Sequence, residues 1–245
     1  MIVKGLVIKE YVVGEGDKYI TLFSRELGQI QVSAKYAQKY TTGLAAGTQL
    51  FIYGEFNIIK RQDKYKLVDV DIIMSFYKLR EDLITLSYSS YITEFLLKVT
   101  SENDKQEDLL VLSLYTLDAL TKGYLNYKII RSIFDLRALQ CLGFMPQVNN
   151  CVICGNSLDL LKKNKIYQFD IGNGGYICCV DNRLKIKGAT LELINYICKL
   201  PMKFVYSFKA DYKIFKELDF LMHRYRTHYI EYDFDTLKYV NKYTP

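Results

Sequence analysis

A single change of hydrophobic period, near Lys78, constrains this 245-residue chain more than any other feature. Before it, apolar residues alternate with polar ones or form short runs rich in Val, Ile, Phe and Tyr, the two-residue period of strands. After it, apolar stripes recur at three- and four-residue intervals without internal proline, the period of helices that bury one face. The chain is therefore expected to fold as an α+β multidomain protein, strands first and helices after. Half of its residues are apolar, which suffices for a sizeable core.

Five strands are expected, at about Val3–Val13, Tyr19–Ser24, Gln29–Lys35, Gln49–Lys60 and Lys64–Ser75. The short connections Gly14-Glu15-Gly16-Asp17, Arg25-Glu26-Leu27-Gly28 and Arg61-Gln62-Asp63 suit hairpins, and a longer link, Tyr36–Gly47, separates the third strand from the fourth. That layout matches the five-stranded oligonucleotide-binding (OB) barrel, so residues 1–80 are expected to form an OB-fold nucleic-acid-binding domain. Residues 81–245 are expected to form a helical domain, with helices at Leu83–Val99, Glu107–Lys122, Leu125–Leu142, Ala189–Lys199 and Ala210–Tyr229. Gly143-Phe144-Met145-Pro146 stops the third of them, and a region at about 148–187 lacks regular period and reads as a loop-rich, cysteine-bearing insert.

The net charge of +6 is unevenly spread: basic and acidic residues number 12 and 8 in residues 1–80, 6 and 9 in 81–150, and 15 and 10 in 151–245. Basic ends flanking an acidic middle fit a polyanion held by the terminal parts, although ordinary solvated lysine faces give the same balance. No apolar run approaches the roughly 20 residues of a membrane span. Glu10, Glu15 and Asp17 interrupt the N-terminal stretch where a signal peptide stays apolar. A cytoplasmic chain that does not engage membranes is expected.

Four of six cysteines fall in the irregular insert. Cys151-Val152-Ile153-Cys154-Gly155 supplies two thiolates at the spacing of half a tetrahedral zinc site, the glycine letting the backbone curl round the ion. In place of a second such pair stands Cys178-Cys179-Val180-Asp181. Adjacent Cys178 and Cys179 cannot both point inward without a distorted backbone, and Asp181 occupies the C-x2-C position, so the expected set is Cys151, Cys154, Cys178 and Asp181, with Cys179 as the alternative fourth ligand. A packed loop with free thiols is the competing state. A disulfide framework does not suit a cytoplasmic chain, and a redox dithiol would sit at a helix N-terminus rather than in a polar loop. Cys141 and Cys198, among Leu and Ile, read as core residues.

No phosphate loop, dinucleotide fingerprint, nucleophile elbow or H-E-x-x-H pair occurs, and His223 and His228 lie in a basic helical stretch, so catalysis is not expected. Aromatic residues beside cations, on which bases stack while lysines hold phosphates, suggest a nucleic-acid contact instead. The link after the third strand, with Lys35, Tyr36 and Lys39, is the first candidate; Lys60, Arg61 and Lys64 at the last hairpin are the second, with Arg25 as a neighbour. Lys128, Arg131 and Arg137 are candidate contacts for an acidic partner peptide, or else internal ion pairs.

Several strings, in order and spacing, resemble the RecO family of bacterial recombination mediators over nearly the whole chain: Lys4–Tyr11 with Gly14–Lys18, Thr21–Gly28 leading to Ala34-Lys35, Phe134–Arg137, Leu142–Gln147, Cys151–Gly155 and Gly174–Cys178. The resemblance implies an OB barrel, a helical domain and an embedded zinc knuckle. It implies binding of single- and double-stranded DNA, annealing of complementary strands, association with RecR, and engagement of the acidic tail of single-strand-binding protein (SSB) to help load RecA. By position, Lys35 and Lys39 fall on the family's basic DNA-contact stretch, Tyr36 stands where a glycine is common, and Gln38 where a basic residue is common. Cys151, Cys154 and Cys178 match three metal ligands, with Asp181 at the fourth. Two other classes fit parts of the pattern. A zinc-ribbon transcription or RNA-binding factor would show sequence or RNA preference, and a thiol-redox enzyme would show a rapidly alkylated cysteine.

Overall fold

The computed structural model describes residues 1–38, 43–158, 163–209 and 211–243. It divides into two compact units, Met1–Thr121 with the chain from Phe234 on, and Lys122–Asp233.

In the first unit, β1 (Ile2–Val13), β2 (Asp17–Ser24), β3 (Gly28–Ala34), β4 (Ile52–Arg61) and β5 (Lys64–Ser75) close a barrel in the order β1-β2-β3-β5-β4. All pairings are antiparallel except β3 with β5, where Val32 faces Tyr65 and Ser33 faces Lys66. This is the Greek-key closure of the OB barrel. Alternate residues, among them Val3, Val7, Ile20, Leu22, Ile30, Val32, Phe56 and Ile58, fill its interior. Register shifts between Val7 and Lys9 in β1, and beside Gly54 and Ile58 in β4, supply the bends that closure needs. β4 begins at Ile52, later than expected, because α1 (Leu44–Gly47) and a turn at Phe51, with φ of 68°, occupy the preceding residues.

Helices α2 (Leu83–Val99) and α3 (Glu107–Lys122) occupy their expected ranges. Asp82 caps α2 by accepting from Thr85 N at 2.9 Å. The compact unit extends past residue 80 because the segment between the two helices is stitched to the barrel. Gln29 N donates to Ser101 O (3.0 Å) and Asn103 N to Leu27 O (2.8 Å).

The second unit packs α4 (Tyr127–Cys141), α5 (Gly188–Lys199) and α6 (Tyr212–Tyr229) against one another. Asn126 and Asp211 cap α4 and α6, which is why these helices start one or two residues later than their apolar period suggests. The insert is more regular than expected: β6 (Ile166–Asp170), β7 (Gly175–Ile177) and β8 (Leu184–Lys187) form an antiparallel sheet in the order β7-β6-β8. A final helix, α7 (Asp235–Tyr243), belongs to the first unit, where Glu94 of α2 accepts from Asp235 N and Thr236 N, both at 3.1 Å. No helix among the described residues is long and apolar enough to cross a membrane.

Candidate nucleic-acid interface and metal centre

The cysteine centre is built from two pieces. Residues 150–157 form a tight loop in which Cys151 N donates to Asn156 O and Gly155 N to Cys151 O, both at 2.9 Å, with Gly155 at φ +76°. β7 runs alongside, Val152 N donating to Tyr176 O at 2.9 Å. Only a glycine at 175 permits this approach, since a Cβ there would lie 2.3 Å from Gln147 O. The result places the sulfurs of Cys151, Cys154, Cys178 and Cys179 within 4.8 Å of one another, with Cys151–Cys179 at 3.9 Å and Cys154–Cys178 at 3.4 Å. A tetrahedral ion with metal–sulfur bonds of about 2.3 Å sets sulfur separations of about 3.8 Å, so the set fits one.

Asp181, expected as the fourth ligand, lies outside that cluster, and its fourth sulfur is that of Cys179, the expected alternative. β7 ends at Ile177 and the chain bends at Cys178 and Cys179, so strand alternation no longer keeps adjacent side chains apart. Burial pushes the Cys151 thiol up, but the N–H groups of Cys154, Ile153 and Cys178 aimed at its sulfur outweigh this and bring it down to about 6. Contacts with Cys154 and Cys151 push the Cys178 thiol up to about 12. The cluster thus favours a thiolate at Cys151 and disfavours one at Cys178, an imbalance that a cation bound to both would reduce.

On the barrel, strand register decides which of the basic candidates meet. The β1–β2 hairpin lies beside the end of β3, because Val13 faces Asp17 and Lys18 faces Ala34. The β4–β5 hairpin points toward the other end, past the start of β1, where Ile2 faces Asn57, but the stagger of the barrel brings the start of β5 alongside the end of β3, Val32 facing Tyr65 and Ser33 facing Lys66. Lys35 and Tyr36 therefore sit by the β1–β2 hairpin on one edge of β3, and Lys60, Arg61 and Lys64 at the β4–β5 hairpin along its other edge, all exposed. Tyr36 is held at φ 56° by its N–H donating to Asp17 Oδ1 (2.8 Å), and Gln38 N donates to Gly16 O (3.1 Å), which ties the end of β3 to the first hairpin. Its ring is 56% exposed. Lys60 Nζ sits 5.1 Å from the Tyr65 ring centre. Lys39 lies outside the described residues. Arg25, in the β2–β3 turn where its N–H donates to Lys4 O of β1, is not part of either group: its guanidinium pairs with Glu107 at 2.6 Å.

The outer wall beside the β1–β2 hairpin carries a feature not expected from the sequence. Tyr11 and Tyr19 face each other across β1 and β2, their rings stacked at 5.4 Å and 9°, and Gln31 of β3 donates to the Tyr11 hydroxyl. The signal was present: both residues lie four from Glu15 at the hairpin tip, so a symmetric hairpin pairs them. The acidic groups here are partly spent, Glu10 accepting from Lys18 Nζ (2.7 Å) and Leu50 N (3.0 Å), while Glu15 and Asp63 occupy the hairpin tips.

The expected partner contacts at Arg131 and Arg137 are corrected, because both are buried. Arg131 pairs with Asp219 of α6. Arg137 donates to the carbonyls of Ile197, Cys198 and Leu200, at 2.7, 2.9 and 3.0 Å, closing the C-terminus of α5. Lys128 is half-buried.

A closed OB-type barrel with aromatic and cationic residues on its surface, followed in the chain by helices and a four-thiol knuckle, defines the class: a multidomain protein built on an oligonucleotide-binding fold. Residues 1–76 match the family described as Recombination protein O N terminal, and residues 80–238 the one described as Recombination protein O C terminal. The chain belongs to the RecO family, whose place is in DNA repair and recombination. It is 33% identical over 241 residues to a DNA repair protein RecO of Acetivibrio thermocellus, covering 96% of this chain and 94% of that protein. A protein of the same name from a Thermoanaerobacter species is 28% identical over 244 residues (97% and 96%). One from Bacillus pumilus is 34% identical over 175 residues (71% and 66%).

Proposed function

We propose that this chain is a recombination mediator that binds single- and double-stranded DNA at the hairpins and outer wall of its barrel and anneals complementary strands. With RecR, it would help load RecA on SSB-coated DNA. The observation that carries this is the placing of exposed Lys35 and Tyr36 near the stacked Tyr11–Tyr19 pair on one edge of β3, with exposed Arg61 and Lys64 at the head of β5 along its other edge. Rings offer bases a sequence-blind stacking surface, cations hold phosphates and screen the repulsion between strands, and base pairing drives the reaction. The work is done in the cytoplasm on nucleoid DNA.

Zinc is the proposed occupant of the four-thiol cluster, as a structural ion closed to substrate. For the acidic SSB tail, the cleft of about 550 Å³ in the second unit supports docking better than α4 does: Leu193, Tyr196 and Phe208 give an apolar floor, and Lys163, Lys199 and Lys209 a cationic rim.

Fluorescence anisotropy with a labelled single strand tests the barrel site. Lys35→Glu/Arg61→Glu/Lys64→Glu is expected to lower the salt slope by about 2, each lost single-strand phosphate contact being worth about 0.7. An unchanged slope and affinity would reject the site.

A further inference from the structure

One surface of the second unit is used by nothing described so far. α6 buries Phe215, Leu218, Leu221, Met222 and Tyr225 and turns the opposite face to solvent. Along that face Tyr212, Lys216, Phe220 and Arg224 follow one another at four-residue intervals, a single ridge of the helix about 18 Å long. Ring and cation alternate. Lys216 Nζ lies 5.2 Å from the Tyr212 ring centre, and the Arg224 guanidinium 5.7 Å from that of Phe220. Both rings nevertheless remain 53% exposed.

The outward charge of this ridge is positive because the helix directs its acidic groups elsewhere. Glu217 accepts from Lys187 N (3.1 Å) and from the Thr190 hydroxyl, and Asp219 accepts from Arg131 and Ser132. At the head of the ridge, Tyr212 and Lys216 border a cleft of about 130 Å³ shared with Asn126, Lys128 and Asp219, the one acidic group there and the one that Arg131 and Ser132 hold.

We propose that this ridge is a second binding site for single-stranded nucleic acid, bases lying on Tyr212 and Phe220 and the sugar-phosphate backbone passing Lys216 and Arg224. A convex row of rings with cations between them is the pattern that single strands use, and it offers no apolar socket for the side chains of an acidic peptide. The proposal rests on the chain's being a nucleic-acid-binding protein but not on the barrel's being the place. With two sites, one molecule can hold two strands at once, the condition that annealing by a single protein requires.

The test uses the full-length chain and labelled oligo-dT, with Lys216→Glu/Arg224→Glu and, separately, Tyr212→Leu/Phe220→Leu, which keeps apolar bulk but removes the stacking faces. Each is also made in the Lys35→Glu/Arg61→Glu/Lys64→Glu background. All four side chains are exposed, so thermal melts should be unchanged. The charge reversal is expected to lower the salt slope by about 1.4, and the leucine pair to weaken binding several-fold at unchanged slope, in both backgrounds. Loss on the ridge with no effect of the barrel changes would reject the barrel site and keep the ridge. Wild-type oligo-dT binding by both ridge variants in both backgrounds would overturn the proposal, and loss of poly-glutamate binding alone would reassign the face to an acidic peptide.

Discussion

The barrel and the cysteine knuckle reach order by opposite routes. The barrel spends five strands on a continuous interior in which Phe56, Ile20, Leu22 and Val32 are fully buried, and its cationic residues are placed by hairpins that this core makes rigid. The knuckle has a three-residue strand, β7, and a loop drawn together around four sulfurs, three of them exposed. On the proposed function, DNA binding by the barrel is an outcome of register, whereas order at the knuckle would depend on an ion held by its sulfurs.

The largest effect expected from this contrast is on metal removal. Chelation, or Cys151→Ser/Cys154→Ser, should open the region around residues 150–180 to protease while the barrel resists digestion and still binds DNA. Structural zinc in small domains contributes about 10–16 kcal/mol of apparent binding energy, so the loss should be complete rather than graded. The ligand set sharpens the same point: Cys179→Ser should cost metal affinity, measured by competition with a chromogenic chelator, and Asp181→Asn should leave it at the wild-type value.

Next in size is the barrel core. Phe56→Ala should cost about 3–5 kcal/mol of barrel stability in urea unfolding, and leave bound metal unchanged. Smaller still, Glu15→Gln/Asp63→Asn, which removes the two hairpin-tip carboxylates, should tighten single-strand binding a few-fold at low salt, the gain vanishing at high salt.

The smallest expected effect lies at the end of β6. A backbone N–H from Asn173, then the Arg183 guanidinium, hold the Asp170 carboxyl below the usual carboxylate range. A depressed folded-state value means that the ionised form stabilises the fold above the unfolded value of about 3.9, and that this contribution fades as pH falls through the lower folded value. Asp170→Asn should thus lower the urea midpoint of the second unit at pH 7 and flatten its acid limb below about pH 4.

Much of this contrast was legible in the sequence, and unevenly so. Long elements with one buried face declare their period, so β1 to β5 and helices α2 and α3 stand where alternation and three-to-four spacing put them. β6, β7 and β8 are too short, at five, three and four residues, for a period to show. Whether Asp181 or Cys179 joins the cluster is illegible for a related reason: β7 ends at Ile177, and the bend that brings adjacent Cys178 and Cys179 to one side has no period in the sequence. Arg131 and Arg137 look like surface cations in sequence, because the groups that satisfy them, Asp219 and the last carbonyls of α5, come from elements 60 or more residues away.

The central claim is that the barrel carries DNA pairing, and annealing of complementary oligonucleotides followed by fluorescence tests it most directly. The account predicts acceleration by the wild-type protein that falls with salt, persists after metal removal and drops sharply in Lys35→Glu/Arg61→Glu/Lys64→Glu. Annealing by that variant at the wild-type rate, or no acceleration by the wild-type protein at low salt, would contradict it.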